Sequence, residues 1–259
     1  MKKLTALLLV CVMSICLLAG CGGEKAPAKD NGSGVATIES GKLIMSTNAA
    51  FPPYEMTNDQ GGYEGIDVEI ATAIAQKLGL ELVIDDMDFD SALMAVQKGK
   101  SDMVMAGVTV NDDRLLVMDF SESYATGVQV VIVKEGSDVT LDNLGEKMIG
   151  TQRATTSNIY CKDDYGEDHV ITYDSSITAV QALMNGQIDC VVADNAPAVE
   201  LVKNNPGLTI LDTEYITEHY AIGVNKGNAQ LLDAINQALK ELIEDGTVDQ
   251  IIAKYIKAQ

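Results

Sequence analysis

The chain of 259 residues has no tryptophan, only three phenylalanines and only two histidines. The histidines, His169 and His219, lie far apart and show none of the spacings typical of metal ligands. No Ser/His/Asp or Cys/His combination of the kind used in nucleophilic catalysis is visible. These absences argue against a metal centre and a hydrolytic site, so the sequence predicts neither a metal ion nor another cofactor.

The first twenty residues combine a basic start with one apolar run. Lys2-Lys3 precede the run Leu4–Ala19, which is short for a membrane span because a span needs about 20 residues. The pattern is typical of an export signal, so residues 1–20 are expected to be removed. The segment Leu18-Ala19-Gly20-Cys21 resembles the bacterial lipoprotein signal, which implies that an acylated Cys21 anchors the mature protein to the outer face of the cell membrane.

Residues 21–40 are mostly small, polar or charged, and too few of them are large and apolar to support a core. They are predicted to be a flexible tether between the anchor and the folded body. Of the five cysteines, two belong to the signal and a third is the candidate anchor, which leaves Cys161 and Cys190. The sequence leaves open whether these two form a disulfide, since it does not give the distance between them.

Basic side chains are scarce, and arginine most of all. The formal net charge is −20, and it becomes −22 once Lys2 and Lys3 leave with the signal. Arginine occurs only at Arg114 and Arg153, whereas lysine occurs sixteen times. Such an acidic surface argues against nucleic acid as a partner. It does not constrain the charge of a small ligand, because a cleft can differ from the surface around it.

The remaining residues suffice for one large domain or two small lobes. Apolar runs of strand character alternate with segments whose apolar residues recur at helical spacing, which predicts an α/β fold with mainly parallel sheets. The predicted strands are residues 41–46, 82–84, 103–106, 128–133, 148–150, 170–173, 188–192, 208–211 and 221–224.

An internal echo relates residues 92–107 to residues 179–194. Each segment contains a helical pattern, a glycine stop, an aspartate and an apolar strand. The matched positions are Gly99 with Gly186, Asp102 with Asp189, Ala106 with Ala193 and Gly107 with Asp194. The echo predicts two similar lobes, although common αβ units also share composition. Ligands of open α/β sheets lie beyond the carboxyl ends of strands, so both segments end at candidate ligand positions.

The stretch Met103–Arg114 carries the first of these positions. A strand ends at a glycine, Thr109 supplies a hydroxyl, and Arg114 lies just inside the helical turn that Asn111 would open. The guanidinium fork presents two parallel donors to a carboxylate. An ordinary strand, turn and helix with a solvated arginine is the alternative on these residues alone. Lysine would have served that purpose in a chain so poor in arginine.

Five motifs in this order resemble the extracellular solute-binding proteins of polar amino-acid ABC transporters, family 3 type, in a lipoprotein form. The motifs are Asn48-Ala-Ala-Phe-Pro-Pro-Tyr-Glu55, Gly65-Ile-Asp-Val-Glu69, Ala106–Arg114, Asp119-Phe-Ser121, and Asp189 with Asp194. The resemblance implies a periplasmic-binding-protein-like fold of type II, with two Rossmann-like α/β lobes joined by two hinge strands. Lobe 1 would comprise residues 41–127 and 225–259, and lobe 2 residues 128–224. The crossings are expected near residues 126–130 and 222–225.

The resemblance also implies roles for particular residues. Arg114 would clamp the ligand α-carboxylate, helped by the Thr109 hydroxyl and the backbone around Ala106 and Gly107. Asp194 would accept the α-ammonium. A further carboxylate donor would come from the helix start at Thr155, Thr156 or Ser157, where amide groups favour an anion. The aromatic residues expected to flank the ligand side chain are Phe51 and Phe89.

Each of these residues also has a purely structural interpretation. Phe51 and Phe89 could belong to the core, because large apolar residues are usually buried. Asp194 could cap a helix, and so could the hydroxyls of residues 155–157. Many members of the family have aspartate where this chain has Asn48, and an amide offers a donor and an acceptor without charge. That departure favours a neutral polar ligand such as glutamine, while arginine or lysine stays open because aromatic walls can hold a cation.

The sequence therefore predicts a monomer that binds a polar L-amino acid between its lobes and delivers it to an ABC permease for uptake. Glutamine and the basic amino acids are the expected ligands. Two alternatives stay open, because fold does not fix function. One is a cleft enzyme, a dehydratase or lyase, on the same scaffold, and the other is an amino-acid sensor.

Overall fold

The computed structural model describes residues 29–30, 35–212 and 214–256, which form two α/β lobes. The strands are β1 (Lys29–Asp30), β2 (Ala36–Thr37), β3 (Lys42–Thr47), β4 (Ala50–Phe51), β5 (Glu55–Thr57), β6 (Tyr63–Glu64), β7 (Glu81–Asp86), β8 (Met103–Val104), β9 (Met118–Lys134), β10 (Ile149–Gln152), β11 (Val170–Tyr173), β12 (Cys190–Asp194), β13 (Leu208–Ile210) and β14 (Ile216–Asn225). The α-helices are α1 (Ile66–Lys77), α2 (Phe89–Gln97), α3 (Asp112–Val117), α4 (Thr156–Tyr165), α5 (Ser176–Met184), α6 (Asn195–Asn204), α7 (Ala229–Glu244) and α8 (Thr247–Tyr255). Short 3₁₀ helices span Leu141–Glu146 and Glu167–His169.

The predicted signal at residues 1–20 and the predicted lipid anchor Cys21 lie outside the described residues, as does most of the tether. The tether was predicted to reach residue 40, and its last part is instead folded. Val35 is buried in a hydrophobic core, and the Ile38 N–H donates to the Asp102 carboxylate at 2.8 Å. A distant partner of this kind cannot be found from the composition of the segment.

The central sheet runs through both lobes in the order β11-β10-β12-β9-β14-β8-β3-β7, with β13 paired to β9. In lobe 1, β3 pairs parallel with β7 and β8. In lobe 2, β10 pairs parallel with β11 and β12. The antiparallel strands β9 and β14 join the two halves. Because β9 continues through residue 127, the predicted lobe boundary at that position stays a prediction.

The core of lobe 1 lies between the sheet and helices α1, α7 and α8. It contains the apolar face of α1, which recurs at Ile66, Ile70 and Ile74, and these side chains are inaccessible to solvent. A spacing of four residues places them on one side of the helix. Burial of such side chains contributes about 1.5–3 kcal/mol each, which holds α1 against the sheet.

The core of lobe 2 covers both faces of its sheet. Val130, Ile132 and Val191 point towards α5 and α6, whereas Val131, Val133 and Val192 point to the opposite face. Alternate residues of a strand face opposite sides of the sheet, so a run of branched apolar residues is buried on both. Cys161 and Cys190 are both free and buried, so the structure contains no disulfide between them.

The long strand β9 differs most from its prediction, which covered only residues 128–133. Its first half contains Asp119, Glu122 and Ser123, and these polar residues concealed the strand character. Backbone pairing with β14 supports that half, and among its large apolar side chains only Met118 and Tyr124 are buried. The small sheet β4-β5-β6 was missed for a related reason, since its strands have only two or three residues each.

The internal echo proves to be a repeat of structure. In lobe 1, Asp102 and Ile44 exchange two hydrogen bonds, from the Asp102 N–H to the Ile44 carbonyl at 2.9 Å and from the Ile44 N–H to the Asp102 carboxylate at 2.8 Å. In lobe 2, Asp189 and Met148 exchange the same pair at 2.8 and 2.7 Å. Both aspartates therefore tie the turn after a helix to the neighbouring strand. Among the helices of the described residues, none is long and apolar enough to cross a bilayer.

Candidate functional site

A cavity lies between the two lobes, where the carboxyl ends of their parallel strands meet. It encloses about 340 Å³ of space not filled by protein atoms, part of it open to solvent. Its lining comes from both lobes and consists of Asn48, Phe51, Glu55, Phe89, Ala106, Gly107, Thr109, Arg114, Gln152, Thr155, Thr156 and Asp194.

Arg114 enters the cavity from the start of α3, a helix that the Asn111 side chain caps by accepting the Arg114 N–H. The side chain is only 7% exposed, so the solvated arginine proposed as an alternative is excluded. Its guanidinium donates to the Thr109 carbonyl at 2.7 Å and to the Ala154 carbonyl at 3.0 Å. It also lies 5.5 Å from the ring centre of Phe89. A guanidinium has five N–H donors, so these two bonds leave three for a ligand.

Burial lowers the pKa of Arg114, and the carboxyl group of Glu218 opposes that shift. Glu218 is itself buried and accepts a hydrogen bond from Gln129 at 2.9 Å. The same Gln129 amide donates to the Thr156 hydroxyl at 2.9 Å. A guanidinium stays charged in proteins, so Arg114 presents a fixed positive charge to the cavity.

Asp194 faces the cavity from the end of β12, directly before α6. Its carboxylate does not cap that helix, which excludes the capping interpretation. Instead it accepts a hydrogen bond from the Tyr220 hydroxyl. Burial raises its pKa to about 7, with a further upward contribution from Glu218. A carboxyl group in this environment gains most from a positively charged partner.

The backbone at Gly107 fits the cavity only without a side chain. Its φ is +55°, and a Cβ atom there would come within 2.6 Å of the Phe51 ring. Phe51 stacks on Tyr54 with ring centres 5.6 Å apart. The Gly107 N–H donates to the Asp67 carboxylate at 3.0 Å. The glycine therefore lets an aromatic wall and the strand end approach each other closely.

The start of α4 supplies the lobe 2 side of the cavity. Thr155 caps the helix, since its hydroxyl accepts the Asn158 N–H at 3.3 Å. Thr155 and Thr156 line the cavity, whereas Ser157 is buried and does not. First-turn N–H groups of a helix have no intrahelical partner and favour an anion. The capping role of Thr155 and a role in the cavity thus coexist.

The turn Gln152–Ala154 contacts lobe 1 across the cavity. The Gln152 amide donates to the Asn48 side chain at 3.2 Å, and the Asn48 amide donates to the Met87 carbonyl at 3.0 Å. Ala154, whose φ is +61°, turns its carbonyl towards Arg114. These contacts bring the lobes together in a closed arrangement. Arg153 lies outside the cavity, is half exposed and pairs with Asp174.

Ten of the eleven residues predicted for the site line one cavity, and Ser157 is the exception. Two lining residues, Glu55 and Gln152, were missed. Glu55 stands in the first motif of the resemblance and is an acidic residue directly after aromatic and proline residues. Its complete burial was the missing information, since an acidic residue at a strand start is usually exposed.

The family of bacterial extracellular solute-binding proteins, family 3, has a model that matches residues 43–258. The chain belongs to this family. The probable histidine-binding protein of Neisseria gonorrhoeae is similar to this family 3 protein, with 34% identity over 98% of this chain and 96% of the relative. An ancestral arginine-binding protein bound to glutamine has 39% identity and a TM-score of 0.80, covering 84% of this chain and 99% of the other.

A further solved relative is the arginine-, lysine-, histidine-binding protein ArtJ of Geobacillus stearothermophilus. It has 32% identity and a TM-score of 0.79, covering 84% of this chain and 96% of the other. These structures confirm the two-lobed fold of type II that the sequence motifs predicted. These relatives are binding proteins, and the ligands in their names are amino acids with basic or polar side chains.

Proposed function

We propose that this family 3 protein binds a free L-amino acid in the cavity between its lobes and delivers it to an ABC permease for uptake. The observation that carries the proposal is the pairing of Arg114 and Asp194 around one cavity. A buried cation and a partly buried carboxyl group, contributed by different lobes, match the two charged groups of a zwitterion. The amino-acid ligands named for the relatives support the same conclusion.

The α-carboxylate is assigned to Arg114 and the start of α4. The two carbonyl contacts of Arg114 leave three guanidinium N–H groups, enough for a bidentate pair with one more donor. The N–H groups of the first turn of α4 would add to these from lobe 2. A carboxylate held in this way touches both lobes, so its binding favours closure.

The α-ammonium is assigned to Asp194. Its carboxyl group has a raised pKa in the free protein because burial disfavours the charge. An ammonium group nearby would restore ionisation, and the pair would then be a charge-assisted hydrogen bond in a dry site.

The ligand side chain is assigned to the space between Phe51, Phe89 and Glu55. Asn48 cannot supply charge, and its amide and carbonyl are engaged with Met87 and Gln152. Glu55 offers the carboxyl group that Asn48 lacks, and no hydrogen-bond donor of the other described residues reaches its two oxygens. We therefore propose a basic amino acid as the preferred ligand, with glutamine as a weaker one.

Delivery requires that the lobes open and close about β9 and β14. Bulges on β14 between Tyr220 and Gly223 lie next to the crossing predicted at residues 222–225, and irregular pairing is a suitable place for bending. We propose that a monomer tethered through an acylated Cys21 closes on its ligand and docks on the permease. The family and the named relatives are binding proteins, which favours binding over the dehydratase or lyase alternative.

Calorimetry with a panel of free amino acids tests the proposal. Arginine, lysine and histidine are expected to bind, glutamine more weakly, and aspartate not at all. If none binds tighter than about millimolar, or roughly −4 kcal/mol, the transport assignment fails. Recovering each ligand chemically unchanged after incubation separates a binding protein from a dehydratase or lyase.

A further inference from the structure

Glu55 and Asp67 form a pair of carboxyl groups at one wall of the cavity. Glu55 begins β5 and lines the cavity, while Asp67 lies in the first turn of α1 and does not. Both residues are completely inaccessible to solvent. The Asp67 N–H donates to the carbonyl of Tyr54, the residue directly before Glu55, at 2.9 Å, so the two carboxyl groups are neighbours.

The other described residues supply too few hydrogen-bond donors for the carboxyl oxygens of Glu55 and Asp67. The Oδ2 atom of Asp67 accepts from the Gly107 N–H at 3.0 Å and from the Tyr124 hydroxyl at 2.8 Å. Both carboxyl oxygens of Glu55 and the Oδ1 atom of Asp67 have no donor from any other described residue. Ionised carboxylates only accept, so two of them bond to each other only when one carries a proton. A single shared proton satisfies the pair.

The pair has no cationic partner among the described residues, although Arg114 lines the same cavity as Glu55. None of the ion pairs formed by the described residues includes Glu55 or Asp67. The groups that face the pair from the neighbouring elements are all acidic or phenolic, namely Tyr54, Asp86, Tyr124 and Asp194. Burial, and then the neighbouring Asp67, hold the pKa of Glu55 well above its usual range, and burial raises the pKa of Asp67 to about 6.

We propose that the ligand-free protein holds one proton between Glu55 and Asp67, and that the cationic side chain of the ligand displaces this proton to solvent. The inference rests on the proposed function and deepens it. The exchange balances in charge, because one ligand cation replaces one proton beside the two carboxyl groups. Both carboxylates are then ionised. The cationic side chain of the ligand lies against Glu55, which has no cationic partner in the protein.

Proton exchange makes the affinity depend on pH in a particular direction. Binding that releases one proton strengthens tenfold for each unit by which the pH rises, until the free pair loses its proton unaided. An amino acid with a neutral side chain leaves the shared proton in place. Asp194 contributes a release of its own when it meets the ammonium, but that contribution is common to all amino acids and cancels between ligands.

The experiment counts protons by calorimetry on the full chain. Arginine and glutamine are titrated at pH 7 in phosphate and in Tris, two buffers that differ in their heat of ionisation. Arginine is expected to release about one proton more than glutamine. Equal release for both ligands would overturn the proposal.

Glu55→Gln supplies the matched variant, because a glutamine amide has the same shape and gives Asp67 a permanent donor. The additional release with arginine should vanish, and the pH dependence of the affinity for arginine should fall to that of the affinity for glutamine. Additional release that persists in Glu55→Gln would place the proton elsewhere and refute the assignment.

Infrared spectroscopy separates a failure of this inference from a failure of the proposed function. Beside any band from Asp194, the ligand-free protein should show a carbonyl stretch of a protonated carboxyl group that ligand-free Glu55→Gln lacks and that arginine binding removes from the original protein. Identical spectra of the two free proteins would refute the shared proton, whether or not any amino acid binds. Absence of amino-acid binding would refute only the transport assignment.

Discussion

The αβ unit at residues 92–107 of lobe 1 and the unit at residues 179–194 of lobe 2 are built alike and end in different chemistry. Each has a helix, a glycine with positive φ and an aspartate that exchanges hydrogen bonds with the next strand. Lobe 1 then continues through Gly107 towards Arg114, whereas lobe 2 ends at Asp194. The shared part builds the scaffold, and the unlike ends face one cavity with opposite charges. The candidate binding residues Arg114 and Asp194 therefore lie where the two units differ.

The largest effect is expected from removing the charge at the lobe 1 end. Arg114→Ala should weaken amino-acid binding by about 3–5 kcal/mol, because it leaves a buried carboxylate of the ligand without its partner. The matched control is Arg153→Ala, since Arg153 is the only other arginine and lies outside the cavity. Its loss should cost less than about 1 kcal/mol, as for an exposed ion pair. Calorimetry measures both variants, and comparable losses would contradict the assignment of Arg114.

The carboxyl group of Asp194, at the lobe 2 end, should make the free energy of unfolding of the ligand-free protein depend on pH. Burial raises the pKa of Asp194 to about 7 from an ordinary value near 3.8. At this position the folded state binds more protons than the unfolded state, so the contribution of Asp194 to stability is most favourable below about pH 4 and declines as the pH rises to 7. A shift of this size corresponds to on the order of 4 kcal/mol.

Urea unfolding of ligand-free protein between pH 4.5 and 7.5 measures this dependence. Asp194→Asn is the matched variant and should flatten the decline, although Asp67, with a pKa of about 6, leaves part of it. An unchanged pH profile in Asp194→Asn would mean that Asp194 is already ionised in the free protein.

A comparison of two glycines tests how closely the lobe 1 end is packed. Gly107→Ala should destabilise the protein by about 3 kcal/mol, because the cost of a left-handed backbone for alanine adds to the cost of a steric clash with Phe51. Gly99→Ala has the same backbone cost, but no atom lies within 4 Å of its added Cβ. It should cost about 1 kcal/mol. Equal losses in thermal or urea unfolding would show that Phe51 moves aside freely.

The two scaffold aspartates should affect stability and leave ligand binding alone. Asp102→Ala removes the acceptor of two backbone N–H groups in a buried place and should cost about 2 kcal/mol. Asp189→Ala removes one acceptor at an exposed place and should cost about 1 kcal/mol or less. Folded samples of either variant should bind the ligand with unchanged affinity. A large loss of affinity in either variant would show that its aspartate contributes to the binding site.

Much of this organisation was predictable from the sequence, and the reasons are physical. The α/β alternation follows from apolar periodicity, and the positions of Gly107, Arg114 and Asp194 follow from where apolar strands end. Glu55 was not identified because its burial depends on elements that are distant in the chain. The first half of β9 was missed because backbone pairing supports it, and pairing leaves no pattern in the side chains.

The most direct test of the zwitterion site combines a protein change with a ligand change. Arginine and agmatine, which lacks the carboxylate, are titrated into the original protein and into Arg114→Ala. If Arg114 holds the carboxylate, removing either partner causes most of the loss, and removing both costs little more than removing one. Losses that simply add would show that Arg114 and the carboxylate act independently, and they would contradict the account.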